Sequence, residues 1–561
     1  MKNIRKALFV GAILASLSLF GCSKKTSKDN TTKQTKTEET TTTKAPVKVA
    51  MVDFDSNGGS TVNSQMAIVG QLIPKPADPE RKGHTFIGWY NGENLWDFDK
   101  NKLEAEGIFT LKAKWTVNSY TLTLSKNIEE AGTIQGGGTI EYDSYATVSA
   151  KTNEGYTFNG WFEGDELAIW PANLTFLMPA RDLNYTARWT LNKYTITLDN
   201  ETEGVTITGV NSGSEYDYKS EITLTASNIP SGYTLIWSRS DGVIEFGDTY
   251  TFNVPLYDVT ITATARPFIK EGNKIYFGTY PQTEVEATAE NGLISIEFDD
   301  SWTSYNYYIS STISDYMFYK DVDTNGDGRF DYRGVYFTQY RPAWISDPST
   351  EDNSYQDNNG YTTNTIYWFS YDPIEWDILT ISSGKALLLA NLILDSQDYY
   401  SSNSNTSFSH NGGTGYCNNY ELSNIRQFLN DNFYKTAFND LQKALIETIE
   451  VDNSASSTEE KASKYACNNT LDKMFLLSYS DLTNSSYGLD SEIARQTKGT
   501  DYAKAQGLQV YASYYGNSCW WLRSPHDTVN GAYCIYWDGV FEGNIIFITQ
   551  RGVRPALWIE L

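Results

Sequence analysis

The segment with the spacing D-x-N-x-D-G-x-x-D carries the residues best suited to chemistry. Its oxygen donors would be the side chains of Asp323, Asn325, Asp327 and Asp331 and the backbone carbonyl of Arg329. Ca²⁺ prefers oxygen ligands at this spacing, with a glycine at the sixth position. The twelfth position is Gly334 instead of the usual Glu, and no flanking helices are predicted, so a polar turn is the alternative. We expect either a Ca²⁺ ion that stiffens this loop or a turn without one.

Two arginines and several aromatic rings near the C-terminus form a second candidate set. Arg523 and Arg554 stand in otherwise apolar sequence, where a buried guanidinium needs a partner. Internal ion pairs that hold the last strands are one interpretation, and recognition of a ligand carboxylate or sugar is the other. The rings that would line a sugar-binding surface, or else pack in the core, are Trp520, Trp521, Tyr536 and Trp537.

No catalytic motif accompanies these residues. The chain holds 69 Asp and Glu residues, so a carboxylate pair for glycoside hydrolysis is available, but no local pattern nominates one. We find no nucleophile elbow, metalloprotease helix or phosphate-binding loop. The three histidines are scattered and no C-x-x-C occurs, which argues against zinc. We therefore do not expect an enzyme.

Four cysteines lie in the last third of the chain, at Cys417, Cys467, Cys519 and Cys534. An even number in an exported protein predicts up to two disulfides, and four cysteines allow three connectivities. Cys519 and Cys534 are close enough in sequence to join one hairpin. The alternative is four buried free thiols.

The N-terminus predicts export. Residues 1–21 have the form of a signal peptide, with Lys2, Arg5 and Lys6 ahead of an apolar run that ends at Phe20. That run is shorter than the roughly 20 apolar residues of a membrane span. The following Leu-Phe-Gly-Cys resembles the bacterial lipobox, which implies diacylglycerol on Cys22 and a membrane partner through this anchor. An ordinary secretory signal is the alternative.

A basic Thr/Lys-rich stretch follows over residues 22–48, and we expect a disordered stalk because it contains too few apolar residues to pack. The whole chain has a formal net charge of −25. This charge argues strongly against nucleic acid as a partner, since phosphate binding needs clustered Lys and Arg. We expect the chain to act in the cell envelope, outside the cytoplasm.

Three repeats fill residues 49–117, 118–191 and 192–267. Each carries a G-[HY]-T-[FL] element followed by a tryptophan, at Trp89, Trp161 and Trp237, which are spaced 72 and 76 residues apart. Apolar and polar residues alternate with period two in each unit, which predicts half-buried β-strands separated by glycine-rich turns. These tryptophans are most simply core residues.

The repeats resemble the internalin-type B-repeat, also called the Listeria–Bacteroides repeat. The first unit matches best, through Phe54–Gly59, Gly88–Tyr90 and Ala113–Trp115, and the other two are divergent. The resemblance implies small β-grasp-like units that act as spacers or adhesive modules in cell-envelope proteins. It implies no catalysis.

The pattern changes over residues 268–561, where a mixed α+β domain is predicted. A buried hairpin over Ile374–Ala390 precedes two amphipathic helices, over 419–430 and 436–449. The domain resembles a bacterial domain of unknown function found in surface proteins. The motifs that carry this resemblance are F-G-x-Y-P-Q at 277–282, P-I-x-W at 373–376, W-L-R-S-P at 521–525 and G-V-R-P-A at 552–556. A looser analogy to C-type-lectin-like and sulfatase-modifying-factor folds concerns the fold only.

The sequence thus predicts a multidomain, β-dominated protein, with three small repeats and an α+β C-terminal domain. Presentation of a binding module on a stalk of repeats, for adhesion or for binding a glycan or surface protein, is the expected function. An extracellular hydrolase that acts on glycan or peptidoglycan is one alternative. A structural envelope spacer is the other.

Overall fold

The computed structural model describes residues 46–305, 317–340, 355–400, 407–410, 413–546 and 551–561. Cys22, the predicted signal peptide and nearly all of the predicted stalk lie outside these residues. Two compact units divide the chain. The first contains residues up to 123 together with 136–147 and 175–184, and the second contains the remainder. The second repeat therefore contributes strands to both units.

The first repeat forms one five-stranded sheet. Its strands are β1 (Val49–Asp55), β2 (Gln65–Ile68), β3 (His84–Asn91), β4 (Asn94–Leu95) and β5 (Gly107–Val117), arranged in the order β2-β1-β5-β3-β4. The β1 and β5 strands run parallel, and the other neighbours are antiparallel. Trp89 lies fully buried in its core beside Phe54, with ring centroids 4.8 Å apart.

The second and third repeats each contain a five-stranded sheet like that of the first repeat and add a three-stranded sheet. Their strands agree with the alternating sequence. Strands of the second repeat are Ser119–Lys126, Gly132–Gly136, Gly138–Glu141, Tyr145–Thr152, Tyr156–Glu163, Glu166–Ile169, Asn173–Leu177 and Leu183–Leu191. Those of the third are Lys193–Asn200, Thr206–Thr208, Ser214–Asp217, Glu221–Ser227, Thr234–Arg239, Ile244–Phe246, Thr249–Asn253 and Val259–Arg266. Trp161 and Trp237 are fully buried, so the three repeat tryptophans are core residues.

Successive repeats are joined by one recurring set of contacts. The backbone N–H of Asn118 donates to the carbonyl of Gly83 at 2.9 Å, and its side-chain oxygen accepts from Thr85 at 2.6 Å. Asn192 makes the same two contacts in the next joint, with Gly155 at 2.8 Å and Thr157 at 2.6 Å. The asparagine that opens the second and the third repeat therefore bonds to the end of the G-[HY]-T element in the repeat before it.

The C-terminal domain contains two main sheets. The larger contains Ile269–Glu271, Lys274–Val285, Thr303–Ser304, Met317–Val322, Tyr332–Phe337, Ile366–Ser382, Lys385–Ala390 and Ala556–Glu560. The smaller contains Asp395–Ser396, Trp520–Pro525, Gly531–Ile535, Phe541–Ile545 and Gly552–Val553. Two-stranded ribbons pair Ser407–His410 with Gly413–Tyr416, Ile449–Val451 with Thr470–Asp472, and Val510–Tyr511 with Asn517–Ser518. The hairpin predicted over Ile374–Ala390 is confirmed and turns at Ser383-Gly384.

The described α-helices of this domain are short. They span Tyr355–Asn358, Asn424–Phe428, Tyr434–Ala437, Asp440–Leu445, Tyr479–Thr483, Glu492–Arg495 and Asp501–Ala505, and a π-helical turn at Leu429–Phe433 joins the second to the third. The helix predicted over 436–449 is wrong at both ends. Phe438 is extended at φ −128°, Asn439 caps a new helix with Gln442 in a capping box, and Ile449 already belongs to a strand.

Candidate functional site

A group of stacked rings at the surface of the C-terminal domain is the strongest candidate for a binding site. The Trp537 ring stacks on Tyr511 with centroids 3.9 Å apart and on Tyr536 at 4.6 Å, and Tyr514 lies 5.5 Å away. Tyr514 is 42% exposed, whereas the other three side chains are half-buried. We call Tyr511, Tyr514, Tyr536 and Trp537 the aromatic platform.

Two tight turns position these rings. Tyr511 and Tyr514 lie on the ribbon of Val510–Tyr511 and Asn517–Ser518, whose connecting turn places Tyr515 at φ +59°. A non-glycine residue rarely adopts this left-handed conformation, and here it leaves the Tyr515 side chain 87% exposed beside the platform. Tyr536 and Trp537 follow the strand Gly531–Ile535, in a turn closed by a 2.9 Å bond from the Tyr536 N–H to the Val540 carbonyl.

Amide side chains hold the platform in place. Asn517 donates to the Trp537 carbonyl at 3.2 Å and to the Gln496 side chain at 3.1 Å, and Gln496 donates to the Asp538 carbonyl at 2.8 Å. Beneath the rings, Arg551 donates to the Gln509 side chain at 2.9 Å and lies 5.8 Å from the Tyr536 centroid. These bonds fix the rings before any ligand arrives.

The platform offers apolar ring faces next to amide groups. Ring faces pack against the C–H faces of sugars, while neighbouring amides meet hydroxyl groups. The indole N–H of Trp537 is buried and has no hydrogen-bond partner among the described residues. Burial raises the pKa of the Tyr511 hydroxyl, which bonds to the Cys519 thiol. This arrangement suits binding and supplies no acid–base pair.

Only two of the four aromatic residues predicted to line a sugar-binding surface belong to the platform. Tyr536 and Trp537 belong to it, but Trp520 and Trp521 are fully buried. They are neighbours on one strand, so their side chains point to opposite faces and enter two different core clusters. The prediction of a ligand-binding role for these two rings is corrected: each indole N–H donates to a backbone carbonyl, of Arg495 and of Gln397 respectively.

Arg523 and Arg554 are internal anchors, the first of the two roles considered for them. Arg523 donates to the Asp481 carboxylate at 2.6 Å and to the Leu476 carbonyl at 2.9 Å. Arg554 donates to the Ala390 carbonyl at 2.7 Å and lies 3.8 Å from the Asp377 carboxylate. Burial lowers the pKa of Arg554 to about 10. Both side chains are too enclosed to meet a ligand from solution.

The predicted calcium loop is the tip of the hairpin between Met317–Val322 and Tyr332–Phe337. Its carboxylates accept bonds from the loop itself: Asp323 from the N–H groups of Gly326 and Gly328, at 2.7 and 2.9 Å, and Asp331 from the N–H and hydroxyl of Thr324. In the part of the chain that the structure describes, no three His, Cys, Asp or Glu side chains are grouped to hold a metal. The calcium site remains a prediction from the sequence.

The four C-terminal cysteines are free thiols rather than disulfides. Trp521 pairs with Cys534 across the sheet, so Cys519 is a diagonal neighbour of Cys534. Diagonal neighbours lie roughly 7–8 Å apart, beyond the usual span of a disulfide. Burial raises the pKa of each thiol, to about 11 for Cys467, which makes them poor nucleophiles.

One carboxylate pair meets part of the requirement for hydrolysis. Glu375 and Asp377 project from the same face of the strand Ile366–Ser382. Burial raises the pKa of Asp377, while hydrogen bonds from Lys274 and Asn391 outweigh burial and lower that of Glu375. A cavity of about 180 Å³ lies elsewhere, between the loop at Arg329 and the helix cap at Asn439, and no acidic residue lines it.

The sequence motifs of the C-terminal domain have structural roles. Gly278, at φ +74°, leaves no room for a Cβ, which would lie 2.6 Å from the Phe438 ring. The Tyr280 hydroxyl donates to buried Asp395 at 2.6 Å, and the Trp376 indole donates to the Phe277 carbonyl at 2.7 Å. Apart from Glu375, which lies in the P-I-x-W motif, the functional candidates lie outside the motifs. Of the platform residues, Tyr536 and Trp537 were predicted from the sequence, whereas Tyr511 and Tyr514 were missed. The three tyrosines at 511, 514 and 515 are the signal that could have found them.

Comparison with known proteins identifies the parts of the chain. It contains a Listeria-Bacteroides repeat domain over residues 51–114 and divergent InlB B-repeat domains over 120–193 and 194–265. Residues 383–561 match a domain of unknown function, DUF6273.

Three curated relatives share parts of this chain. A putative membrane protein of Evansella cellulosilytica is 33% identical over 36% of the chain, and a putative Gly-rich membrane protein of the same organism is 34% identical over 27%. Internalin H of Listeria monocytogenes is 35% identical over 25% of the chain. The chain spans 31%, 18% and 25% of the lengths of these relatives, in the same order. It is thus a repeat-bearing protein. Among its described helices none combines the length and apolar character of a membrane span.

Proposed function

We propose that the C-terminal domain binds a glycan on the aromatic platform, as part of a surface protein that a lipid on Cys22 tethers to the envelope. The observation that supports this proposal best is the stack of Tyr511, Trp537 and Tyr536 at the surface, with Tyr514 and Tyr515 exposed beside it. Exposed rings held rigidly in advance lose little entropy on binding.

The repeats support the same interpretation. Trp89, Trp161 and Trp237 are buried, and apolar clusters surround Trp89 in the first repeat and Trp237 in the third. Internalin-like repeats occur here ahead of a domain of a different kind, which is the order expected when repeats carry a binding module. The relatives are named for a membrane or for an internalin, which agrees with a role at the cell surface.

Binding of the full chain, purified in detergent, to an array of bacterial and host glycans tests the proposal. We expect Trp537→Ala and Tyr514→Ala to weaken binding roughly tenfold or more, because a central aromatic contact contributes more than 1 kcal/mol. Tyr145→Ala is the matched control, since Tyr145 is 78% exposed on the second repeat. Tyr514 is exposed, so its loss should not disturb folding. Equal binding by all variants, or binding to no glycan, would refute the proposal.

A second candidate function, hydrolysis of the bound glycan or of peptidoglycan, rests on Glu375 and Asp377. A raised pKa on one carboxyl beside a lowered pKa on the other is the pattern of an acid–base pair. The same samples are therefore assayed for new reducing ends, with and without Ca²⁺. If the chain releases new reducing ends and Asp377→Asn abolishes this release, the enzyme is favoured. If the chain neither binds nor cleaves glycan, binding of a surface protein and the structural spacer remain.

A further inference from the structure

We infer that the first repeat associates with a second copy of this chain through an exposed apolar face. Five large side chains on one side of its sheet are between 42% and 74% exposed: Val49, Met51, Met66, Ile68 and Ile108. We call these five residues the apolar face. Single exposed apolar residues are ordinary, whereas a contiguous group marks an interaction site.

Strand register makes the apolar face contiguous. Val49 lies opposite Ile68, and Met51 lies between Met66 on one neighbouring strand and Ile108 on the other. Directly opposed residues have Cβ atoms roughly 5 Å apart. The five side chains therefore cover the outer surface of β2, β1 and the start of β5. Two methionines at its centre supply flexible side chains that adapt to a facing surface.

The apolar face reaches an open edge of the sheet, because β2 is the outermost strand. The Val69 N–H donates to the Lys48 carbonyl at 3.0 Å, which fixes the alternation of the antiparallel pair. By that alternation the backbone N–H and C=O of Met66 point away from β1. Open edges are usually protected by Lys or Pro, and Gln65–Ile68 contains neither.

The chain preceding β1 is unsuited to covering this surface. Residues 23–45 contain no apolar side chain larger than alanine. A second copy suits the apolar face better. Residues 49–117 carry nine acidic and seven basic side chains, so this repeat is nearly neutral, although the whole chain has a net charge of −25. Charge repulsion between copies is therefore small at this repeat. A two-fold axis beside Met66 would pair β2 with β2 of the other copy and place the Met66 side chains of the two copies against each other, at the centre of one joined apolar face.

Sedimentation equilibrium of the full chain in detergent tests this inference. The wild type should dimerise, and Met66→Lys should weaken dimerisation at least roughly tenfold, because the ammonium would lose hydration against apolar side chains. Ile493→Lys is the matched control, because Ile493 is 81% exposed on the C-terminal domain, and it should dimerise like the wild type. A monomeric wild type, or a Met66→Lys variant that dimerises normally, would overturn the inference.

Cross-linking in cells that produce the full chain tests the geometry. Met66→Cys should give a disulfide-linked dimer under mild oxidation, whereas Ile493→Cys should not. A dimer from both variants alike would show random collision and overturn the two-fold arrangement. Vesicle binding distinguishes a membrane from a second copy as the partner of the apolar face. The chain lacking residues 1–22 is tested with and without Met66→Lys. If the substitution releases this chain from lipid vesicles but leaves its self-association unchanged, the apolar face contacts membrane and the inference is wrong.

Discussion

Asp241 of the third repeat is a carboxylate held by two partners. Arg239 donates to both of its oxygens at 2.8 Å, and the Tyr257 hydroxyl donates at 2.7 Å. The hydrogen bonds from Arg239, more than any other contact, lower the pKa of Asp241 from 3.8 to about 2. A lowered carboxyl pKa stabilises the folded state above the unfolded pKa, and this stabilisation is lost as the pH falls from about 4 to about 2.

We therefore expect Asp241→Asn to destabilise the third repeat by about 1 kcal/mol at pH 7, after allowance for solvent screening of a partly exposed pair. The difference from the wild type should shrink through the window between pH 4 and pH 2. Hydrogen exchange of peptides around Trp237, compared between the proteins at each pH, measures it. Asp248→Asn, at an exposed carboxylate of the same repeat, serves as the control. An equal difference at pH 7 and pH 2 would contradict the assignment.

At the scale of single residues, the sequence shows which residues could have a special role better than it shows whether each side chain is exposed. The apolar surroundings of Arg523 and Arg554 correctly suggested buried guanidinium groups with partners. The partners, Asp481 and Asp377, are distant in sequence and follow from the fold alone. Likewise the pairing of Trp537 with Tyr511 joins two turns that no local pattern connects.

At the scale of the elements, packing explains why a glycine precedes the tryptophan in the first two repeats. A Cβ on Gly88 would lie 2.5 Å from the Cδ1 of Leu95, and one on Gly160 would lie 2.4 Å from the Cδ1 of Leu167. A leucine of the following hairpin thus sits directly on each glycine. In the third repeat Ile236 replaces this glycine.

We expect Gly160→Ala to destabilise the second repeat by about 2–3 kcal/mol, because the methyl group overlaps Leu167 and the backbone sits at φ +124°. Thermal unfolding, monitored by hydrogen exchange of residues 156–163, measures the loss of stability. The double variant Gly160→Ala with Leu167→Ala should recover part of it, since the overlap with Leu167 is removed, while the backbone strain and a 3.0 Å contact with the Ile169 carbonyl remain. If the double variant is as unstable as the sum of the two single variants, the contact is not the cause.

Strand patterns predicted most elements well, because alternation reports directly on the buried face of a sheet. The helices around residues 419–449 were predicted less well. The amphipathic spacing of Phe438, Leu441 and Leu445 continues across the break where one helix ends at Ala437 and Asn439 caps the next. A cap depends on backbone geometry that residue periodicity does not contain.

At the scale of the whole molecule, the proposed function places a binding domain after three repeats in a lipid-anchored protein. The lipid anchor on Cys22 lies outside the described residues and rests on the sequence. We expect Cys22→Ser to release the protein into the medium or to leave it uncleaved, since acyl chains contribute about 0.8 kcal/mol per buried CH₂. Fractionation of cells followed by mass spectrometry of the N-terminal peptide measures both outcomes. A wild-type peptide without acyl chains would contradict this part of the account.

Hydrogen exchange of the full chain, with and without the glycan that it binds best on the array, tests the central claim most directly. The account predicts slower exchange in the peptides that contain Tyr511–Gly516 and Tyr536–Val540, with the three repeats unchanged. Slower exchange confined to the repeats, or around Glu375 and Asp377 with the aromatic platform unaffected, would contradict it.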